Sequence, residues 1–228
     1  MEALQTAIAC SPPAVPTHGF DTVEAAIAAV SRGEFVIVVD DEQRENEGDL
    51  IMAASAMTPE AMAFMVRHTS GVICIAMPGS ALDRLELPLM VAANTESFST
   101  AFTVSVDASS GTSTGISAAD RAATMRALAD PTSGPQDFVR PGHVFPLRCS
   151  PAGVLARPGH TEAAQDLVHL AGRGIGGVLC ELVNDDGTMA RSADLFRFAA
   201  RHHLTMISIA QLIAFRQRPG TQPDTCQP

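Results

Sequence analysis

The chain has 228 residues, enough for one large domain or two small ones and for a fully buried core. Its hydrophobic fraction of 46% is ordinary for a globular protein, and its formal net charge is −10. That charge argues against a nucleic-acid partner and against an anionic membrane surface, so an anionic substrate would have to be met by a few locally concentrated cations.

Residues 1–19, with SPPAVPTHG, read as a loose arm. Asp21 can cap a helix running VEAAIAAVSRG, which Gly33 ends. Residues Phe35–Val39 (FVIVV) form a short, β-branched strand of the buried type. Pro59 opens a second helix, closed by Gly71, and Val72–Met77 is a strand. The segment AFTVSVDA at 101–108 alternates like a strand. Ser117 precedes AADRAATMRALAD, with Asp120 placed for a capping box, and Thr161 caps EAAQDLVHLAG. An apolar strand at Gly177–Val183 runs into the turn Asn184–Gly187. The segment LTMISI is a last strand before a helix at AQLIAFRQ, and the tail 218–228 reads as frayed. Strands and helices interleave from 20 to 217 with no linker. This predicts one α/β domain, a layered sandwich whose mixed β-sheet is flanked by helices.

Four features carry chemistry. The densest is DDEQRENEGDL at 40–50, directly after the FVIVV strand. In extended geometry Glu45, Glu47 and Asp49 share one side, where their repulsion calls for Arg44 and a hard divalent cation; the plain alternative is a solvated acidic loop. The tetrapeptide Arg-Pro-Gly-His occurs twice, at 140–143 and 157–160. Each copy presents arginine and histidine from a rigid turn, and the second leads into a helix start suited to phosphate; ordinary exposed turns are the other reading. Gly111–Gly115 (GTSTG), with Thr114, sets hydroxyls and glycine amides at a helix entry, although it lacks the lysine of a Walker A sequence and could be a plain connection. Glu181 interrupts an apolar strand, where burial of a carboxylate is costly unless it is paired, ligated or used in proton transfer; a solvent-facing position is the alternative.

The five cysteines, Cys10, Cys74, Cys149, Cys180 and Cys226, are scattered and include no Cys-x-x-Cys pair. A disulfide framework or structural zinc site is not expected, and the pattern fits a reducing, cytoplasmic setting, with Cys74 and Cys180 as small core residues. His68, His169, His202 and His203 fall on helices or their ends and read as surface or satisfied core residues. No apolar run approaches a membrane span, and the N-terminus does not read as a secretory signal.

Taken together, DDEQRENEGDL, TAFTVSVDA, GTSTGISAADR, RPGHVFPLR, RPGHTEAAQDL and GVLCELVNDDGTMAR resemble the successive motifs of the 3,4-dihydroxy-2-butanone 4-phosphate synthase family, in order, from about residue 20 to residue 215. The resemblance implies a three-layer fold, a homodimer, and a monofunctional form without a fused GTP cyclohydrolase II. It implies a carbon–carbon lyase of riboflavin biosynthesis that converts D-ribulose 5-phosphate to 3,4-dihydroxy-2-butanone 4-phosphate and formate with Mg²⁺, or Mn²⁺, as two ions per active site. By motif, Glu45 and His160 resemble the metal ligands. Arg44, Glu45, Asp49, Thr114, Arg157, Pro158, Gly159, His160, Thr161 and Glu181 resemble the substrate contacts. His143 and Glu181 resemble the residues needed for turnover, and Gly48 could let the acidic loop close. Phe98 stands where some members carry tyrosine. Two other readings remain: a metal-dependent sugar-phosphate hydrolase or isomerase using the same side chains, and a nucleotide- or RNA-binding module, which the acidic charge opposes.

Overall fold

Strand β1 (Val36–Val39) is buried at all four positions, so it needs apolar partners on both faces. Val36 and Val38 enter one core layer, and Ile37 and Val39 enter the other. The computed structural model, which describes residues 19–219, builds a sheet on this strand. The expected arm and tail therefore lie, apart from Gly19, Arg218 and Pro219, outside the described residues.

The other strands are β2 (Gly48–Ala53), β3 (Cys74–Met77), β4 (Val106–Ala108), β5 (Phe138–Arg148), β6 (Gly177–Glu181) and β7 (Thr205–Ser208). They lie in the order β4-β5-β3-β6-β2-β1-β7. β1 and β2 form an antiparallel hairpin, while β1–β7 and β3–β5 are parallel, so the sheet is mixed as expected. Helices α1 (Val23–Ser31), α5 (His160–Leu170) and α7 (Ile209–Arg216) bury Val30, Leu167 and Leu212 against one face. Helices α2 (Pro59–His68), α3 (Gly79–Arg84), α4 (Ala118–Ala129) and α6 (Ser192–His202) bury Met65, Leu82, Met125 and Leu195 against the other. The result is a three-layer α/β sandwich.

Local details differ from expectation in ways that matter for the site. Thr22, not Asp21, caps α1 by accepting from Ala25 N at 3.1 Å. Asp21 instead accepts from Met206 N at 2.8 Å and ties the helix entry to β7. Only Val106–Ala108 of the expected 101–108 strand is regular; Phe102 and Thr103 make isolated bridges. The first Arg-Pro-Gly-His copy is not a turn but part of β5, passing through a cis Arg140–Pro141 bond. The acidic string ends in β2, whose six residues are all buried. Gly48 is accordingly no pivot: it pairs with Val39, and a Cβ there would lie 2.6 Å from Leu195 Cδ1.

His68 and His202 join Phe64 and Phe198 in an aromatic cluster between α2 and α6, with the Phe198 and His202 centroids 4.3 Å apart. Burial, and then neighbouring positive charges, hold both imidazoles below the usual histidine range, which suits packing rather than ligation.

Leu50 is fully buried on β2 between β1 and β6. Leu50→Ala should destabilise the fold by roughly 2–5 kcal/mol. Urea unfolding followed by circular dichroism measures this, and a loss well under 1 kcal/mol would contradict the packing described.

Candidate active site

The acidic string folds around Asp40, a buried residue just past β1. Its Oδ1 accepts the Glu47 amide at 2.8 Å, and its Oδ2 accepts the Glu45 amide and Arg44 Nη1, each at 3.0 Å. Asn46 takes a positive φ of 54°, so Glu45 sits in a turn and not on the extended run expected for Glu45, Glu47 and Asp49. The carboxylates still converge, because the turn brings Glu45 back over β2. Arg191, at the start of α6, pins the turn by donating to Glu45 O at 2.8 Å. Arg44 Nη1 also reaches Glu45 Oε2 at 2.5 Å, and its guanidinium lies 4.8 Å from the Phe98 ring centroid.

His160 opens α5 and is buried. Its Nδ1 lies 3.4 Å from Glu45 Oε2 and 3.8 Å from Asp49 Oδ1. Burial disfavours its charged form, but Asp49, Glu45 and Asp40 outweigh burial and push its pKa to about 9. Burial, with repulsion from Glu181, Glu45 and Glu47, pushes the Asp49 carboxyl up to about 8 against the opposing pull of His160. Burial also works against the charged form of Glu45, yet His160 and Arg44 hold its carboxyl below the usual range.

Helix α5 has Gly159 as its N-cap and no side-chain cap, so Thr161 belongs to the first helical turn and is not the cap expected for it. The first-turn amides point at whatever anion enters there. Arg157 stands beside them, held from behind: its Nη1 donates to Glu162 Oε2 at 2.7 Å, and its Nη2 to Phe98 O at 3.1 Å and Thr100 Oγ1 at 3.2 Å. Glu162, 1% exposed, also accepts the Ser150 amide at 3.0 Å.

On β6, Glu181 pairs in register with Asp49 of β2. It ends the strand and is half-buried, so the apolar run delivers it to the sheet's rim and does not enclose it. Ser70 Oγ donates to its Oε2 at 2.6 Å. These groups share a cavity of about 240 Å³ lined by Arg44, Glu45, Asp49, Arg157, His160, Thr161 and Glu181, among others.

Four expected site residues stand outside that lining. Gly159 is buried and Pro158 exposed, and neither lines the cavity. His143 lies on β5, with Nδ1 2.7 Å from Asp107 Oδ2 and its amide donating to Asp107 Oδ1 at 2.9 Å. Thr114 is exposed next to Gly115, whose φ of +90° lets the loop lie on that pair; a Cβ at Gly115 would fall 2.8 Å from His143 Nδ1. The Asp120 carboxylate does not close the expected capping box. It accepts the Gly115 amide at 3.0 Å and the Ser113 hydroxyl at 2.7 Å, fastening the GTSTG loop over His143.

The sequence model of the family described as 3,4-dihydroxy-2-butanone 4-phosphate synthase matches residues 24–215. The chain belongs to this family. It is 60% identical over 193 residues to the 3,4-dihydroxy-2-butanone 4-phosphate synthase of Agrobacterium fabrum, covering 85% of this chain and 91% of that one. It is also 60% identical over 203 residues to the riboflavin biosynthesis protein RibBA of Salinispora arenicola, covering 89% of this chain but 48% of that longer one. A crystal structure of a 3,4-dihydroxy-2-butanone 4-phosphate synthase in complex with two magnesium ions superposes with a TM-score of 0.86 at 44% identity, over 90% of this chain and 100% of that one. A cation-free crystal structure of such a synthase superposes with a TM-score of 0.82 at 45% identity, over 88% and 99% of the chains.

For this member of the synthase family, the donor set suits a hard divalent ion. Ligand atoms of Asp40, Glu45 and His160 lie within 4.8 Å of one another. Of the three, Glu45 and His160 line the cavity, while Asp40 stands outside that lining and accepts from the loop amides and Arg44. His160 Nε2 and Asp49 Oδ1 are buried without a hydrogen-bond partner among the described residues, the condition a ligated or substrate-filled site would relieve. No helix among the described residues is long and apolar enough to cross a membrane.

The two raised pKa values set a direction for stability. A histidine raised to about 9 stabilises the fold below its ordinary pKa and loses that contribution as pH rises through 9. A carboxyl raised to about 8 has the same sign, because the fold prefers it protonated. In chelating buffer the thermal midpoint should therefore fall by about 3 °C or more between pH 6 and pH 9, and His160→Gln should flatten the decline. Calorimetry at matched ionic strength measures it; a wild-type midpoint constant over that range contradicts the electrostatics described.

Proposed function

We propose that this chain is a lyase of riboflavin biosynthesis that converts D-ribulose 5-phosphate to 3,4-dihydroxy-2-butanone 4-phosphate and formate. The observation that carries the reading is the single cavity in which Glu45, His160, Asp49, Arg157 and Glu181 meet. An anion-binding helix start, a cation-binding pair and a positioned carboxylate are the three parts this reaction needs. The catalytic domain spans 20–217.

Glu45 and His160 would hold Mg²⁺, with Mn²⁺ admitted by the imidazole, as two ions per active site; a related synthase structure is a complex with two magnesium ions. Bound there, the ion supplies electrostatic stabilisation for enediolate charge on adjacent substrate oxygens. The protein side chains do the rest. Arg157, fixed by Glu162, and the first turn of α5 with Thr161 bind the phosphate. Pro158 and Gly159 set the backbone that aims them. Arg44 and Asp49 orient the sugar hydroxyls. Glu181 at the strand rim takes and returns the proton in enolisation, and His143, oriented by Asp107, serves the later proton transfers.

His143 and Thr114 stand outside the cavity, and a second copy of the chain gives them a place. In the homodimer we propose, the exposed apolar side chains Leu89, Met90, Val91, Ile116 and Val139 are covered, and the His143–Thr114 end of one copy closes on the cavity of the other. The net charge of −10 supports a small-molecule substrate with no nucleic-acid or membrane partner, and the buried free thiols of Cys74, Cys149 and Cys180 support a cytoplasmic setting.

Incubation with ribulose 5-phosphate and Mg²⁺ should release formate, chelation should abolish release, and Mg²⁺ or Mn²⁺ should restore it. Inorganic phosphate or an isomeric pentulose phosphate in place of formate would mark a hydrolase or isomerase instead. Glu181→Gln should fold and bind substrate, while its turnover falls by about 10² to 10⁴. Formate assays paired with titration calorimetry test this, and near-normal turnover would remove Glu181 from the chemistry.

A further inference from the structure

We propose that Ser70 is a positioning residue that grips the Glu181 carboxylate by Oε2 and leaves Oε1 as the oxygen that exchanges protons with the substrate. The inference rests on the lyase reading, because it gives Glu181 a task that depends on which oxygen is free.

Ser70 is placed by backbone structure before its hydroxyl does anything. The chain leaving α2 runs alongside the end of β6 as a short added strand. Val183 N donates to His68 O at 3.2 Å, Thr69 bridges Leu182, and Ser70 N donates to Glu181 O at 2.8 Å. Thr69 Oγ1 donates to Met65 O at 2.7 Å and holds the exit from the helix. Ser70 therefore reaches Glu181 twice, by its amide and by its hydroxyl, and the hydroxyl has little freedom to point elsewhere.

The hydrogen-bond directions follow from the donor count. Ser70 has one hydroxyl proton, and the strongest acceptor within reach is Glu181 Oε2 at 2.6 Å, the short distance of a charge-assisted O–H···O⁻ bond. The Ser70 oxygen is left to accept. The Val72 amide donates to it at 3.4 Å, and Cys180 Sγ lies 3.3 Å away. Burial pushes the Cys180 thiol up to about 12, so it keeps its proton at neutral pH and can donate. The thiol also lies 3.6 Å from Glu181 Oε2. Thiol sulfur, hydroxyl oxygen and Oε2 thus form a compact triangle, in which the hydroxyl donates to Oε2 and the single thiol proton is offered to the other two atoms. Glu181 Oε1 carries no hydrogen bond among the described residues, and Glu181 lines the cavity.

The consequence is a division of labour within one carboxylate. Oε2 accepts the Ser70 hydroxyl at 2.6 Å, with the Cys180 thiol 3.6 Å away, and is a poorer place for a further proton than Oε1. A proton removed from the substrate goes to Oε1, while the electron pair of the broken bond stays on the substrate. The same oxygen later returns the proton. Loss of the Ser70 hydroxyl lets the carboxylate rotate and divides its productive orientation among alternatives. The cost falls on turnover and not on substrate binding. Water can reach this exposed position and replace part of the hydrogen bond, which limits the loss.

The test is a double-mutant cycle on formate release, with Ser70→Ala, Glu181→Gln and the double variant. Ser70→Ala should lower kcat by about 10- to 50-fold with KM changed by less than about threefold. In the Glu181→Gln background the same change should alter kcat by less than about twofold, because there is no carboxylate left to orient. Ser70→Thr, which keeps the hydroxyl, should stay within about fivefold of wild type. Equal proportional losses in both backgrounds, a loss confined to KM, or a Thr variant as poor as the Ala variant would overturn the proposal. A wild-type protein that releases no formate would defeat the lyase reading itself, a distinguishable result.

Discussion

One electrostatic constraint organises the molecule: the carboxylates of Asp40, Glu45, Glu47 and Asp49 are gathered round the buried imidazole of His160. Like charges at this spacing disperse unless something holds them, and two things do. Asp40 spends both oxygens on Arg44 and on the amides of its own loop, which fixes the turn. His160 supplies a shared positive partner, at the cost of being buried and raised in pKa. His160 is raised by the surrounding carboxylates, and their repulsion adds to the burial that raises Asp49, so the site holds more negative charge than the protein alone neutralises. A divalent ion or the substrate's own polar groups are the chemistry that such an excess attracts.

The groups we propose to act on a substrate are held by further residues, most of them from a different element. Arg157 leans on Glu162 of α5 and on the carbonyl of Phe98, His143 on Asp107 of β4, and Glu181 on Ser70 beyond α2. Arg44 lies between Asp40, Glu45 and the Phe98 ring. An arginine or carboxylate with several rotatable bonds is a poor catalyst until its rotamers are restricted, and these partners supply that restriction. The arrangement also explains the tolerance of buried charge: Glu162 is 1% exposed but accepts from a guanidinium and an amide, so its burial is compensated.

Much of this was legible in the sequence, and the limits have physical causes. FVIVV reads as a buried strand because nothing but a two-sided core accepts four consecutive β-branched residues. Helices α2 and α4 announce themselves through Pro59 and Ser117. The density of acid at 40–49 and the arginine and histidine of 157–160 mark the cavity from composition and spacing. Strand β2 was hidden, because its first residues, Gly48 and Asp49, carry the composition of a loop and only the tertiary pairing with β1 and β6 makes them strand. Asp107, Glu162 and Ser70 had no local signal: each matters through a partner 5 to 111 residues away. The first Arg-Pro-Gly-His copy misled for the opposite reason. Proline and glycine signal a turn by themselves, but in β5 the surrounding strands override that preference.

The chemistry is also tied to the core by register. Asp49 and Glu181 face each other across β2 and β6, and along the same two strands Leu50 meets Cys180 and Ile51 meets Leu179. Side chains alternate across a strand, so a slip of one residue in β2 would bring Leu50 to the cavity and turn Asp49 into the opposite apolar layer, and a slip in β6 would do the same with Cys180 and Glu181. Either slip would bury a carboxylate in the layer of Met62, Met65 and Leu195 while stripping apolar side chains from the layer beneath α5. The penalty for the slip is paid in hydrophobic burial and in carboxylate desolvation together, many times the thermal energy. The apolar residues of the two layers are thus the ones that keep Asp49 opposite Glu181. The rigidity of the site is a property of the sheet, and the acidic turn and the α5 start are attached to a frame whose register the two cores have already decided.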